Sequence, residues 1–377
     1  MKIGILSDTH SDKMNAIPYI IREFKKAHVK LIVHCGDIDP KHVDSKLFGY
    51  FPVICALNEL KPKAEKFNNP PDNWHFTYPC NPPKDPSSRI VDLEELGLGR
   101  DKFYVGHKRS FDFLIESKRN LEETLQKVRK DYDGVRLLFS GHVHHQTYAQ
   151  GRLISYVNPG AVEDSFDGFE YAIIDTDKDQ IVFSRILPKE PVKEALNVAV
   201  ISDSADISGF DPEFWQQLSN VLKEHKVTHI IHCGNVDLND IGKEVLEDFQ
   251  VYVNLLPQQR IKAPSGPANW HILTQDEPLI QVNGYKFLID YDFGRAMLSK
   301  SEEDLFDIEL EKRIKYPGLN YILFGLTNEG FYEEGEQLRY INPGDINKDR
   351  NFVIISLPKN EITFGHVFLD PLPPLEV

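Results

Sequence analysis

The sequence repeats itself, and that repetition limits the fold more than any other feature. Within 377 residues, short segments recur in one order. Ser7-Asp8-Thr9-His10 returns as Ser202-Asp203-Ser204-Ala205. Ile32 to Asp39 (IVHCGDID) returns as Ile230 to Asp237 (IIHCGNVD), and Asn73-Trp74-His75-Phe76 returns as Asn269-Trp270-His271-Ile272. Leu323 to Gly330 echoes the stretch around His142, and Tyr340 to Ile346 (YINPGDI) echoes Tyr156 to Val162 (YVNPGAV). Ordered self-similarity of this kind marks an internal duplication. Whatever architecture one half adopts, the other must adopt too. The expectation is two tandem domains of one fold, residues 1–190 and 196–377, joined through the structure-breaking run Ile186-Leu187-Pro188-Lys189-Glu190-Pro191.

The opening segment indicates which architecture. Lys2 to Leu6 and Leu31 to Val33 are short apolar runs without polar alternation, which suits strands buried on both faces. Between them Ile17, Ile20, Ile21, Phe24 and Ala27 recur at helical spacing. Strand, helix, strand implies a parallel pair joined by a crossover. Further strands are expected at Pro52 to Leu57, Phe103 to Val105, Arg136 to Phe139, Ile154 to Val157, Tyr171 to Ile174 and Ile181 to Ile186. Ser117 caps a predicted helix whose apolar face is Leu121, Leu125 and Val128, and Lys61–Asn73 and Pro79–Arg89 read as Pro-rich loops.

Charge and cysteine usage narrow the function. The net charge is −15, against the basic footprint that nucleic-acid binding needs. Cys35, Cys55, Cys80 and Cys233 fit neither a disulfide framework nor a zinc ribbon. The sequence holds no membrane-spanning apolar run, and the first strand starts almost at Met1, where a signal peptide would lie. A reducing cytoplasm is therefore the expected setting.

The chemistry lies at the strand ends. Successive apolar runs terminate in Asp8 and His10, in Asp37, in Asn58, in His107, and in His142 and His144. A structural core has no need of five such endings. In sheets with parallel strands, ligands gather at the carboxyl ends, and this mixture of oxygen and imidazole donors suits Mn, Fe, Co, Ni or Zn. Two divalent ions need a shared carboxylate, and Asp37 lies in the middle of the set. His34 and His232, which match between the halves, read as packed, hydrogen-bonded residues, and Cys35 and Cys233 as small buried ones.

In this order, D-x-H at Asp8 to His10, G-D at Gly36-Asp37, N-E at Asn58-Glu59, G-H at Gly106-His107 and G-H-x-H at Gly141 to His144 resemble the calcineurin-like metallophosphoesterases. Asn158-Pro159-Gly160 resembles their smaller bacterial and archaeal phosphodiesterase branch, which includes the retromer subunit Vps29. The resemblance covers roughly residues 1–186. It implies an α/β fold, a four-layer α/β/β/α sandwich, here repeated twice. It also implies two divalent transition-metal ions, Mn foremost, and a small phosphoester substrate. One ion would be held by Asp8, His10 and His144, the other by Asn58, His107 and His142, with Asp37 bridging; Asp37, Asn58 and His107 would form the catalytic core. Where many members carry a histidine acid after the Asn, this chain has Glu59, so Glu59 and His145 are the acid candidates. The alternative on the same fold is a non-catalytic scaffold.

The second half departs from that donor set. On the echoes, Asp8 becomes Asp203, His10 becomes Ala205, Asp37 becomes Asn235, Asn58 becomes Leu256, His107 becomes Tyr291, His142 becomes Leu326 and His144 becomes Asn328. The second copy is thus expected to bind no metal pair. It would either cover surface, standing in for the partner subunit of a homodimer, or serve a regulatory or substrate-positioning role.

Overall fold

A computed structural model describes residues 1–10, 12, 16–39, 43, 45–57, 72–77, 90–107, 134–142, 144–150, 154–163, 168–186, 195–205, 212–236, 245–256, 259, 266–274, 278–290, 293, 302–325, 329–335 and 338–367, with backbone alone for 302–307. The chain divides into two units, Met1–Glu190 and Pro191–Val377. The expected helix after Ser117, the Pro-rich loops except for Asp72 and Asn73, Cys80, and the residues Asn58 and Glu59 lie outside the described residues.

In the first unit, β1 (Lys2–Leu6) leads into α1 (Ile17–Lys26) and β2 (Leu31–His34), followed by β3 (Val53–Ala56) and β4 (Trp74–Thr77). These four strands run parallel, as the βαβ pattern requires, with Ile3 opposite Leu31 and Leu6 opposite His34. After β5 (Ile90–Asp92), β6 (Lys102–Val105), β7 (Val135–Phe139), β8 (Gln146–Gln150) and β9 (Ser155–Pro159), the chain returns as β10 (Phe169–Asp175) and β11 (Gln180–Ile186). Within the unit one sheet has the order β11-β10-β1-β2-β3-β4 and the other β5-β6-β7-β9-β8. The sheets lie face to face: Thr77 Oγ1 donates to the Val105 carbonyl (3.2 Å), and Gln146 Nε2 donates to those of Tyr171 (3.3 Å) and Ser184 (2.9 Å).

Helix α1 starts where Asp12 Oδ1 accepts from the Ala16 and Ile17 N–H groups, at 2.6 and 3.3 Å, with Pro18 in the first turn. Its face of Ile17, Ile20, Ile21 and Phe24 is buried with Leu6, Ile32, Val53 and Trp74. Each such side chain removed from water contributes about 1.5–3 kcal/mol. Phe24 lies directly over Gly4, where a Cβ would come within 2.6 Å of its ring, so only glycine lets the helix sit this close to β1.

The second unit has strands β12 (Leu196–Ile201), β13 (His229–His232), β14 (Gln250–Asn254), β15 (Trp270–Leu273), β16 (Leu279–Val282), β17 (Tyr285–Ile289), β18 (Tyr321–Leu323), β19 (Phe331–Glu334), β20 (Arg339–Asn342), β21 (Asn351–Leu357) and β22 (Glu361–His366). Their orders are β22-β21-β12-β13-β14-β15 and β16-β17-β18-β20-β19. Strand for strand, these match the first unit. Helix α2 (Pro212–Glu224) buries Phe214, Trp215, Leu218 and Leu222 with Ile230, Val251 and Trp270 of the first of these sheets. Helix α3 (Glu302–Lys315) sets Ile308 against Leu288 and Ile322 of the other. Among the described residues, no helix is long and apolar enough to cross a membrane.

Candidate metal centre

The parallel strands of the first unit deliver their carboxyl ends to one edge. Asp8 follows β1, Asp37 follows β2, His107 follows β6, and His142 and His144 follow β7. The backbone there is held in an uncommon shape. Asp8 (φ 53°), His10 (φ 43°), Asp37 (φ 55°) and His142 (φ 75°) all occupy the left-handed region. Each costs about 1–3 kcal/mol for a non-glycine residue, and strain of this kind concentrates at functional sites. Two cross-loop bonds hold the shape: the Asp8 N–H donates to the Gly36 carbonyl (3.0 Å) and the His10 N–H to the Asp37 carbonyl (2.8 Å).

Two donor groups result. Asp8, His10 and His144 bring ligand atoms within 4.8 Å of one another, and so do Asp8, Asp37 and His107. The carboxylate common to both is Asp8. Its Oδ1 lies 3.4 Å from His144 Nε2 and 3.7 Å from His107 Nε2. Asp37, the expected bridge, also stands between the groups, its Oδ2 3.9 Å from His10 Nδ1 and 3.5 Å from His107 Nε2. His142 is in neither group. Its N–H donates to Asp8 Oδ2 (3.0 Å), and its ring centroid is 5.4 Å from that of His107. His145 is half-buried and in neither group.

The donor atoms here suit a cation. His107 is buried, and its Nδ1 lies 3.0 Å from the Cys35 carbonyl, which can only accept, so Nδ1 carries a proton. Nε2 is turned to the carboxylates. Both it and Asp8 Oδ1 are shut off from water without a hydrogen bond among the described residues. In the neutral ring Nε2 presents a lone pair to the carboxylates, which either a proton on Nε2 or a metal ion between them would resolve; carboxylate plus imidazole fits a divalent transition metal. The His107 ring beside Asp37 holds that carboxyl at about 2, against the opposing effect of burial. Burial pushes Asp8 up, but His144, His107, Ser7 and the His142 N–H together outweigh it and leave it below its ordinary value.

The sequence pattern did not single out Cys35, whose backbone carbonyl orients His107, or Ser7. Gly36 and Gly141 belonged to motifs, but their physical role was not legible. A Cβ on Gly36 (φ 109°) would lie 2.5 Å from His107 Cβ.

In the second unit the first two loops keep much of their shape, with Asp203 retained, Ala205 in place of His10 and Asn235 in place of Asp37; Tyr291, Leu326 and Asn328 lie outside the described residues. Asp203 (φ 56°) and Asn235 (φ 53°) are again left-handed, and the same cross-loop bonds run from Asp203 N–H to Gly234 (3.1 Å) and from Ala205 N–H to Asn235 (2.9 Å). Here the carboxylate is satisfied internally. Asn235 Nδ2 donates to Asp203 Oδ1 (3.1 Å) and Ser202 Oγ to Oδ2 (2.7 Å). Below them His232 is fully buried, and burial lowers its pKa to about 3. Because the unfolded value is near 6.5, the stability gained by keeping this ring neutral is complete above pH 6.5. It is lost progressively as pH falls from there towards about 3, by about 1.4 kcal/mol per pH unit. Urea melts of the whole chain between pH 7.5 and 4.5 should show that fall, and His232→Gln should remove its share of it, leaving that of His34, which burial also lowers to about 3.

Residues 1–179 match the calcineurin-like phosphoesterase superfamily domain. The match falls within the first unit and covers nearly all of it. Solved structures similar to the chain include an archaeal phosphodiesterase at 19% identity, covering 45% of this chain and 98% of that one with a TM-score of 0.32. Another is Vacuolar Protein Sorting 29 from Cryptosporidium parvum, at 15% identity, 45% and 89% coverage and a TM-score of 0.34. A phosphoesterase-like protein from Streptococcus pneumoniae matches at 14% identity, 47% and 94% coverage and a TM-score of 0.27. No curated protein sequence matches the chain.

Proposed function

We propose that residues 1–190 form a phosphodiesterase working with two divalent transition-metal ions, Mn foremost, and that residues 196–377 are a degenerate tandem copy without a metal site. The reading is carried by Asp8 Oδ1 and His107 Nε2, buried and facing each other at 3.7 Å. As the motif implies, Asp8, His10 and His144 would hold one ion and Asn58, His107 and His142 the other, with Asp37 bridging; Asp8, common to both donor groups, stands beside both. Bound there, the ions would supply hydroxide near neutral pH and neutralise phosphate oxygens. His107 spends its Nδ1 proton on Cys35 and turns Nε2 to the carboxylates, so it is the donor atom of a ligand and not the acid for the leaving group. That leaves Glu59 and His145. With the reference pKa of a glutamate near 4.3, Glu59 would be mostly ionised at pH 7, and a carboxylate beside a phosphate dianion is unfavourable. Small phosphodiesters, or phosphoesters with good leaving groups, are therefore favoured over alkyl monoesters. The identical strand orders of the two units support the duplication, and the satisfied Asp203 supports loss of the second site.

The test is hydrolysis of bis(4-nitrophenyl) phosphate and 4-nitrophenyl phosphate at pH 7 by Mn-reconstituted full-length protein, with metal analysis. The diester should turn over faster, and Asp37→Asn and His142→Ala should both lose activity. Less than one metal equivalent per chain, or unchanged activity in both variants, would overturn the proposal.

A further inference from the structure

We infer that His34 is a positioning residue of the metal centre: its imidazole clamps together the two left-handed loops that carry Asp8, His10 and Asp37. The inference rests on the metal-centre reading above. His34 ends β2 and is fully buried beneath the site, its ring edge-on to Phe48 with centroids 6.3 Å apart. Both ring nitrogens are committed. The Gly36 N–H donates to Nδ1 (3.1 Å), which fixes Nδ1 as the unprotonated atom. Nε2 therefore carries the proton and donates to Thr9 Oγ1 at 3.0 Å. Thr9 sits between Asp8 and His10, and Gly36 immediately precedes Asp37. One rigid ring thus spans the two ligand-bearing loops, parallel to the backbone bonds from Asp8 to Gly36 and from His10 to Asp37. Partners outside the ligand shell that fix ligand orientation commonly matter 10–100-fold for metal affinity.

In the second unit the same ring contacts are present without the ligand set. His232 Nδ1 accepts from the Gly234 N–H (3.3 Å), and Nε2 donates to Ser204 Oγ (2.7 Å). Of the left-handed residues in the loops it joins, Asp203 and Asn235 match Asp8 and Asp37, whereas Ala205, in place of His10, is not left-handed. A clamp that serves only folding would act equally in both units. A clamp that also positions ligands would affect metal binding in the first unit alone.

The experiment titrates full-length protein with Mn²⁺ by calorimetry and records its melting. Thr9→Val removes the hydroxyl while keeping the side chain's volume, and is expected to weaken Mn²⁺ binding about 10–100-fold. Thr9→Ser, which installs the group found at Ser204, is expected to restore affinity to within about twofold of the parent protein. Ser204→Ala is expected to lower the melting temperature and leave Mn²⁺ affinity unchanged. Wild-type affinity in Thr9→Val, or equal weakening in Ser204→Ala, would overturn the clamp while leaving the metal centre intact. Failure of the parent protein to bind Mn²⁺ would overturn the metal-centre reading and this inference with it.

Discussion

Asp8→Asn is expected to strip the chain of metal and to lower phosphodiester hydrolysis by roughly a thousandfold or more. Asp8 belongs to both donor groups, so its replacement weakens both at once, whereas loss of His10 or His144 touches one. Asparagine has the same shape, so the change tests charge rather than packing. It also cannot satisfy both sides of the residue. If the amide nitrogen takes the Oδ2 position it opposes the His142 N–H, a donor already in place at 3.0 Å. If it takes the Oδ1 position, it presents a proton where a cation should bind. Several kcal/mol of charge stabilisation depend on such ions, and each 1.36 kcal/mol is about tenfold in rate. Metal analysis after Mn reconstitution, alongside kcat on an aryl diester, measures both effects. Asp203→Asn in the second unit is the control and should retain full metal and activity, because Asp203 already bonds to Asn235 and Ser202. Two tightly held ions in Asp8→Asn would show that the shared carboxylate has been misassigned.

The β1–α1–β2 unit was legible because uninterrupted apolar runs and a 3.6-residue stripe have one simple reading. The strand-end residues were legible because polar groups closing successive buried runs have no packing purpose. Strand β8 was not. Gln146-Thr147-Tyr148-Ala149-Gln150 carries no apolar period, yet Gln146 is fully buried because its amide reaches two carbonyls of the facing sheet. Buried polar residues whose partners come from distant strands defeat any local pattern. The left-handed turns at Asp8 and Asp37 were equally hidden, since neither residue type demands positive φ. The same holds for Cys35, whose contribution is a backbone carbonyl that any side chain could accompany. The pairing of His34 with His232 was visible as a repeat, but its meaning required both ring contacts.

Gly141→Ala should disable the centre through space alone. Gly141 lies between Ser140, which follows β7, and His142. A Cβ there would overlap Ser7 Oγ and come within 2.9 Å of both Asp8 Oδ2 and His107 Nδ1. These neighbours cannot yield cheaply. Asp8 Oδ2 is held by the His142 N–H, and His107 Nδ1 by the Cys35 carbonyl. Moving either turns a proposed ligand away from the centre. Inserting one methyl into packed surroundings of this kind costs about 1–3 kcal/mol, occasionally more. For a domain of this size that corresponds to a melting temperature lower by roughly 2–12 °C. Metal affinity should fall further than stability, because the clash bears directly on Asp8 and His107. Ser7→Ala in the same chain removes the overlapping hydroxyl and should restore part of the stability; the 2.9 Å contacts remain, so affinity should recover less. Contacting residues couple by about 0.5–3 kcal/mol, so the double variant should be clearly non-additive. Parental melting and Mn²⁺ affinity in Gly141→Ala would show that the edge where the two sheets deliver their ligands is far looser than its contacts imply.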